Sequence, residues 1–248
     1  MRMKTLSQVN PKADYSFDPR DVGLKRPYVQ ARIARVIAIW AGIESLTVNV
    51  LLNALGGDIR IASEMFLSVT SGAASRAALK TAIRLGLPPD RAAIFNAIWT
   101  ISGELVDDRH KLAHWIVGYS KDIPNALLLL DPKDGFRRGA HNLTFWRLGQ
   151  HHKFTRRPIH KIRVLSAEYL DSLTSDFYAQ QDRLMAFLDL LRLDETADVP
   201  PAAIQRRYDQ LCNEPRIRQI LIQAHENQKN TKAIALPRPR RKSRGRDR

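Results

Sequence analysis

The chain has one cysteine, Cys212, so no internal disulfide can form and a tetrahedral thiolate metal site is excluded. That is consistent with a reducing compartment. Met1 to Asp21 alternates polar and charged residues and has no apolar h-region, so no signal peptide is expected. The apolar stretches are interrupted by Arg, Glu, Asn or Lys, so no transmembrane helix is expected either. A soluble, cytoplasmic protein follows as the expectation. There is no Gly-rich phosphate loop, no paired-carboxylate metal site and no Ser or Cys nucleophile elbow. No internal repeat is visible. Acidic residues are also scarce, 25 against 40 Lys and Arg.

The charge excess is therefore large. The formal net charge is +15 and the sequence pI is near 10.3. Such a balance favours polyanionic partners, nucleic acid before anionic membrane. It is uneven, because Arg238 to Arg248 holds seven Lys or Arg against one Asp. Residues 231–248 have little apolar content beyond Ile234 and Leu236, which argues against a membrane-surface role. Apolar residues make up 44% of the chain, enough for a proper core without staples.

Four helical patterns carry most of that apolar content. The first begins at Pro27 and ends at Gly56-Gly57, with Ile33, Ile37, Trp40, Thr47 and Leu51 on one face. Glu44 interrupts this stripe, and a carboxylate facing a core needs a partner. Two compatible roles are open: pairing with a core cation such as Arg76 or Lys80, or orienting a site residue. The second helix follows Asp58 as its cap and closes at Gly86-Leu87-Pro88-Pro89. The third is expected from about Arg91 to Val117, capped by Asp90. The fourth starts after Ser166 and ends before Asp198-Val199-Pro200-Pro201.

Between the third and fourth helices the character changes. Pro and Gly punctuate residues 118–165, and short β-favouring runs occur at Ala126–Leu130, Leu143–Leu148 and Ile159–Leu165. The spacing predicts an all-α, up-and-down four-helix bundle with a small two- or three-stranded excursion. Residues 1–24 read as irregular and loosely attached, and 25–193 as the bundle domain. Residues 194–230 read as a short helical extension, and 231–248 as a disordered basic tail. The excursion is basic and holds Arg137, Arg138, Arg156 and Arg157 beside Phe145, Trp146 and Phe154. With Arg240 and Arg241 of the tail these are candidates for nucleic-acid contact, or a solvated basic surface.

The richest chemistry lies at Asp107-Asp108-Arg109-His110-Lys111-Leu112-Ala113-His114-Trp115, late in the third helix. Arg109 is a permanent cation with a donor fork suited to phosphate. Histidine side chains can take up or release a proton near neutral pH. His110 and His114 are one turn apart and share a face. Arg109 and His114 are offset by roughly 140° on an ideal helix, so one helix cannot aim both at one phosphate atom unaided.

Arg109-His110-Lys111-Leu112-Ala113-His114 resembles the RφxxxH signature of the HEPN superfamily, where φ is Asn, Asp or His. The order of helices over roughly residues 27–192 is also similar. The resemblance implies a metal-independent endoribonuclease, often of toxin or antiphage type, without cofactor, whose two protomers bring two copies of the motif to one cleft. It implies that Arg109 binds the scissile phosphate, that His114 moves protons and that His110 orders the site. Glu44 and Asp108 are supporting candidates read from the residues themselves. Partners would be RNA, a second copy of the chain and an antitoxin or other partner protein. The alternative is a non-catalytic helical module that binds nucleic acid or a partner protein.

Overall fold

The computed structural model describes residues 3–17, 22, 25–58, 60–62, 64, 72–136 and 159–234, with side chains undescribed at 72–76 and 228–234. Strand β1 (Lys4–Thr5), helix α1 (Leu6–Val9) and strand β2 (Tyr15–Ser16) come first. Helices α2 (Pro27–Ala54), α3 (Gly72–Gly86) and α4 (Pro89–His114) follow. Strands β3 (Ile116–Ser120), β4 (Ala126–Leu130) and β5 (Arg163–Ser166) lead into α5 (Ala167–Glu195), α6 (Pro201–Asn213) and α7 (Pro215–Ile234). The described chain is mostly helical, as expected, but it is not all-α: it carries a five-stranded antiparallel sheet in the order β1-β5-β4-β3-β2.

Local sequence explains the helix ends. Pro27 starts α2, where its fixed φ suits the first turn. Gly56 and Gly57 end it with φ of 75° and 94°, a region that glycine enters without strain. The carboxylate of Asp58 accepts from the backbone N–H groups of Arg60 and Ile61, as a cap should. Ser166 accepts from the N–H of Tyr169 at 3.2 Å and caps α5. The α4 start differs from expectation: Pro88 holds the cap position and Asp90 lies in the first turn. A Cβ on Gly86 would stand 1.8 Å from the carbonyl oxygen of Ala54, so glycine lets α3 end against α2.

The helical core forms where α2 and α5 run along each other. Trp40 packs on Phe177 with centroids 5.5 Å apart, and Phe95 of α4 packs on Phe187 at 5.7 Å. Gln180, wholly buried, donates to the carbonyl of Ile98 and to Ser102 Oγ, which satisfies its amide inside the core. Val36, Ile43, Val50 and Leu51 are the buried face of α2, while Ile33 and Ile37 are half-buried. Val29, Val36, Trp40, Ile43, Thr47, Val50 and Leu51 of the expected stripe are buried, and Glu44 falls at its margin. By length and composition alone α2 could cross a membrane, contrary to expectation, because Glu44 is the one charge in residues 36–53. Here its apolar face joins the core.

The N-terminal segment is the main departure. Rather than hanging loosely, it supplies both edges of the sheet. Lys4 pairs with Val164 on one edge, and Tyr15 pairs with Ser120 on the other. All five residues of β4 are buried, so both of its faces are covered. Leu127 and Leu129 join the helical core. Leu128, Leu130 and Ala126 join a second cluster with Leu6, Ala13, Ile162 and Val164. Leu6, Ala13, Tyr15 and Phe17 are the cover on that outer face. Ile116 and Val117, the first residues of β3, fall within the span expected for the third helix. Trp115 turns extended (φ −79°, ψ 151°), and Ile116 to Gly118 pair with β4 instead. β-Branched residues at 116 and 117 suit a strand once a partner strand is present. The expected strand at Leu143–Leu148 lies outside the described residues, and α7 runs beyond the expected 229 to Ile234.

Candidate functional site

Helix α4 buries Ile94, Ile98, Ile101, Leu105 and Leu112. Arg109 lies four residues after Leu105 and three before Leu112, so it shares their inward-facing side. It is half-buried, and its Nε is buried without a hydrogen-bond partner. A buried donor left unmade costs about 1–3 kcal/mol. No ion pair holds Arg109 among the described residues. The neighbouring carboxylate is already taken. Asp108 pairs with Lys111 at 2.9 Å. Burial, then the nearby Asp108 carboxylate, push the Tyr169 phenol above its ordinary range.

His110 and His114 are both exposed, with ring centroids 4.7 Å apart and planes tilted by 53°. His114 lies in the last turn of α4 and His110 one turn before it. His114 is the last residue of α4, so the strand β3 begins two residues beyond it. Arg109 points toward the core side and His114 toward solvent, in keeping with the angular offset expected from sequence. A cavity of about 280 Å³ adjoins the stretch, but on a third side of the helix: Glu104, Asp107, Asp108 and Lys111 line it, with Arg163 and Tyr169 across it. Arg109 and the two histidines are not among its walls. Among the described residues no cluster of His, Cys, Asp and Glu is arranged to hold a metal ion.

Glu44 has its partner within its own helix: the Trp40 indole N–H donates to it at 2.6 Å. Lys80 is exposed, and the side chain of Arg76 is outside the described set. No hydrogen bond or ion pair links Glu44 to Arg109 or His114 among the described residues. Arg137, Arg138, Arg156, Arg157, Arg240 and Arg241 all lie outside the described residues. Sequence reasoning missed the proximity of Tyr169 to Asp108. The two are 61 positions apart, and no spacing rule connects them. No known protein family matches this chain, and no curated protein or solved structure matches it either.

Proposed function

We propose that the chain is a HEPN-like, metal-independent endoribonuclease that acts as a homodimer in the cytoplasm, in a toxin or defence role. On this reading α2, α3, α4 and α5 are the four helices of an up-and-down bundle. The observation that carries it is Arg109: a permanent cation, half-buried at the end of α4, with a buried donor that lacks a partner and with its neighbour Asp108 committed to Lys111. Such a group is suited to an incoming anion. Exposed His110 and His114 sit within the same two turns.

RNA brings its own nucleophile. The ribose 2′-oxygen attacks phosphorus, the bond from phosphorus to the 5′-oxygen breaks, and protons leave the first oxygen and reach the second. His114 is assigned that proton transfer. Arg109 is assigned the charge of the phosphorane-like transition state. His110, whose tilted ring lies 4.7 Å from that of His114, orders the ring. Because Arg109 and His114 diverge on one helix, a second protomer completes the constellation. The same divergence favours, as the second reading, a helical module that binds nucleic acid or a partner protein without cleaving.

The test is cleavage of RNA in EDTA by the wild type, His114→Ala and Arg109→Ala, with folding checked by circular dichroism. Wild-type cleavage lost by at least a hundredfold in both folded variants is the expected result. A wild type that binds RNA but never cuts it, with binding unchanged in both variants, overturns catalysis and leaves the binding module.

A further inference from the structure

A second cationic surface lies along the N-terminal turns of α2, separate from the Arg109 stretch. Tyr28 is 64% exposed, and the Arg32 guanidinium covers one face of its ring at 3.7 Å from the centroid. Arg32 also bonds the Tyr28 hydroxyl and forms a two-point ion pair with Asp171 of α5. Tyr28 is thus held at its hydroxyl and on one face, while its exposure leaves the other face open. Two turns on, roughly 10 Å along the axis, Arg35 donates to the Tyr178 hydroxyl at 3.1 Å and lies 5.5 Å from that ring's centroid. Tyr178 is 39% exposed.

At the head of this surface is a cavity of about 440 Å³ whose walls include Lys25, Arg26, Arg32, Asn125, Glu168 and Asp171. Arg26 donates to the carbonyls of Lys25 and Ser120, and its Nε is buried without a partner. Around cavity and helix face, Lys25, Arg26, Arg32 and Arg35 stand against Glu168 and Asp171, and Asp171 is already paired with Arg32. The surface is net cationic and interleaves two aromatic rings with arginines. Ser120 ends the strand that follows α4, six residues after His114, which is at most about 20 Å of extended chain. A short oligonucleotide spans that reach.

We infer that Lys25, Arg26, Tyr28, Arg35 and Tyr178 form a track for single-stranded RNA, with the cations holding phosphates and the tyrosine faces stacking on bases. This deepens the nuclease reading and rests on it for the choice of RNA as the polyanion. Single strands are specified because the bases of a duplex are stacked on one another and cannot reach a tyrosine face. The second face of Tyr28 takes a base with little ordering cost, since its ring is already fixed by Arg32.

The experiment measures binding by fluorescence anisotropy of a labelled 12-nucleotide single-stranded RNA and of the same sequence as a duplex. It uses the full chain carrying His114→Ala, in EDTA, so that cleavage does not enter. Tyr28→Ala and Tyr178→Ala are each expected to weaken single-strand binding about tenfold. Tyr28→Phe should restore it, and Arg35→Ala should weaken it and flatten the salt dependence by about one phosphate contact. Duplex binding should change less than twofold in the tyrosine variants. Single-strand affinity within twofold of the parent in Tyr28→Ala and Arg35→Ala, with melting temperatures preserved, overturns the track. Equal losses on single strand and duplex overturn the single-strand assignment. Cleavage by the wild type with an inert track leaves the nuclease standing, and a working track on a chain that never cuts RNA leaves the track standing alone.

Discussion

The Trp40 indole N–H donates to the Glu44 carboxylate at 2.6 Å, one helical turn along α2. A carboxylate at the edge of the core thus has a neutral donor on its own helix, and among the described residues no cation across the core pairs with it. Glu44→Gln retains an acceptor oxygen for that indole, so stability in urea should change by no more than about 0.5 kcal/mol. Trp40→Phe keeps much of the packing on Phe177 but removes the donor, and should cost about 1–3 kcal/mol. Cleavage by Glu44→Gln should stay within twofold of the wild type. A folded Glu44→Gln protein that has lost activity would assign Glu44 a positioning role that the hydrogen bond to Trp40 does not explain.

Leu6 is fully buried, and its backbone N–H donates to Ile162 at 2.8 Å, so the segment before α2 is pinned to the sheet by side chain and main chain alike. Leu6→Ala should cost about 2–5 kcal/mol, the range for a truncated core leucine. Removing residues 1–17 should do more. It strips the strands paired with Val164 and Ser120 and leaves Leu128 and Leu130 without their cover. Exposed strand edges invite association between chains. Size-exclusion chromatography of the truncated chain should show aggregates. A monodisperse truncated protein with an unchanged melting temperature would contradict this account of the N-terminal segment.

Helices were legible where a periodic apolar stripe met a local end signal. Pro27, Gly56-Gly57, Asp58 and Ser166 all act at their expected positions. The β4 strand was equally plain, because Ala126–Leu130 is a short apolar run buried on both faces. Residues 3–17 were not legible, since a two-residue edge strand has no periodicity to read. Ile116-Val117 was misread for a related reason. Nothing in the local pattern stops α4 at His114; pairing with β4 does. At the candidate site, sequence spacing gave the divergence of Arg109 and His114. It could not show that Lys111 rather than Arg109 holds Asp108, because all three lie within a turn of one another. The Tyr28 and Tyr178 surface escaped notice because it is assembled from two helices whose Arg and Tyr residues look unremarkable in each.

Glu214 joins three elements by its side chain. Arg183 of α5 donates to its Oε1 from Nη2 at 2.7 Å, and the Ile217 N–H in the first turn of α7 donates to its Oε2 at 2.8 Å. Arg183 also reaches Gln180, which is bonded to Ile98 and Ser102 of α4. Burial pushes the Glu214 carboxyl up, but Arg183 and the backbone N–H groups of Ile217 and Arg216 together outweigh it and hold it below its ordinary value. Its charged form is favoured in the folded state, so the stabilisation is fully present above the unfolded glutamate value, about 4.3. It fades as pH falls through the lower folded value. Glu214→Gln should therefore melt below the wild type at pH 7, and the gap should narrow between pH 5 and pH 3. The difference between the two proteins isolates this group, because Asp171, also held low by Arg32, titrates in both. A gap that stays constant down to pH 3 would mean that the Glu214 charge does not stabilise the joint between α6 and α7, and that its hydrogen-bonding shape alone does.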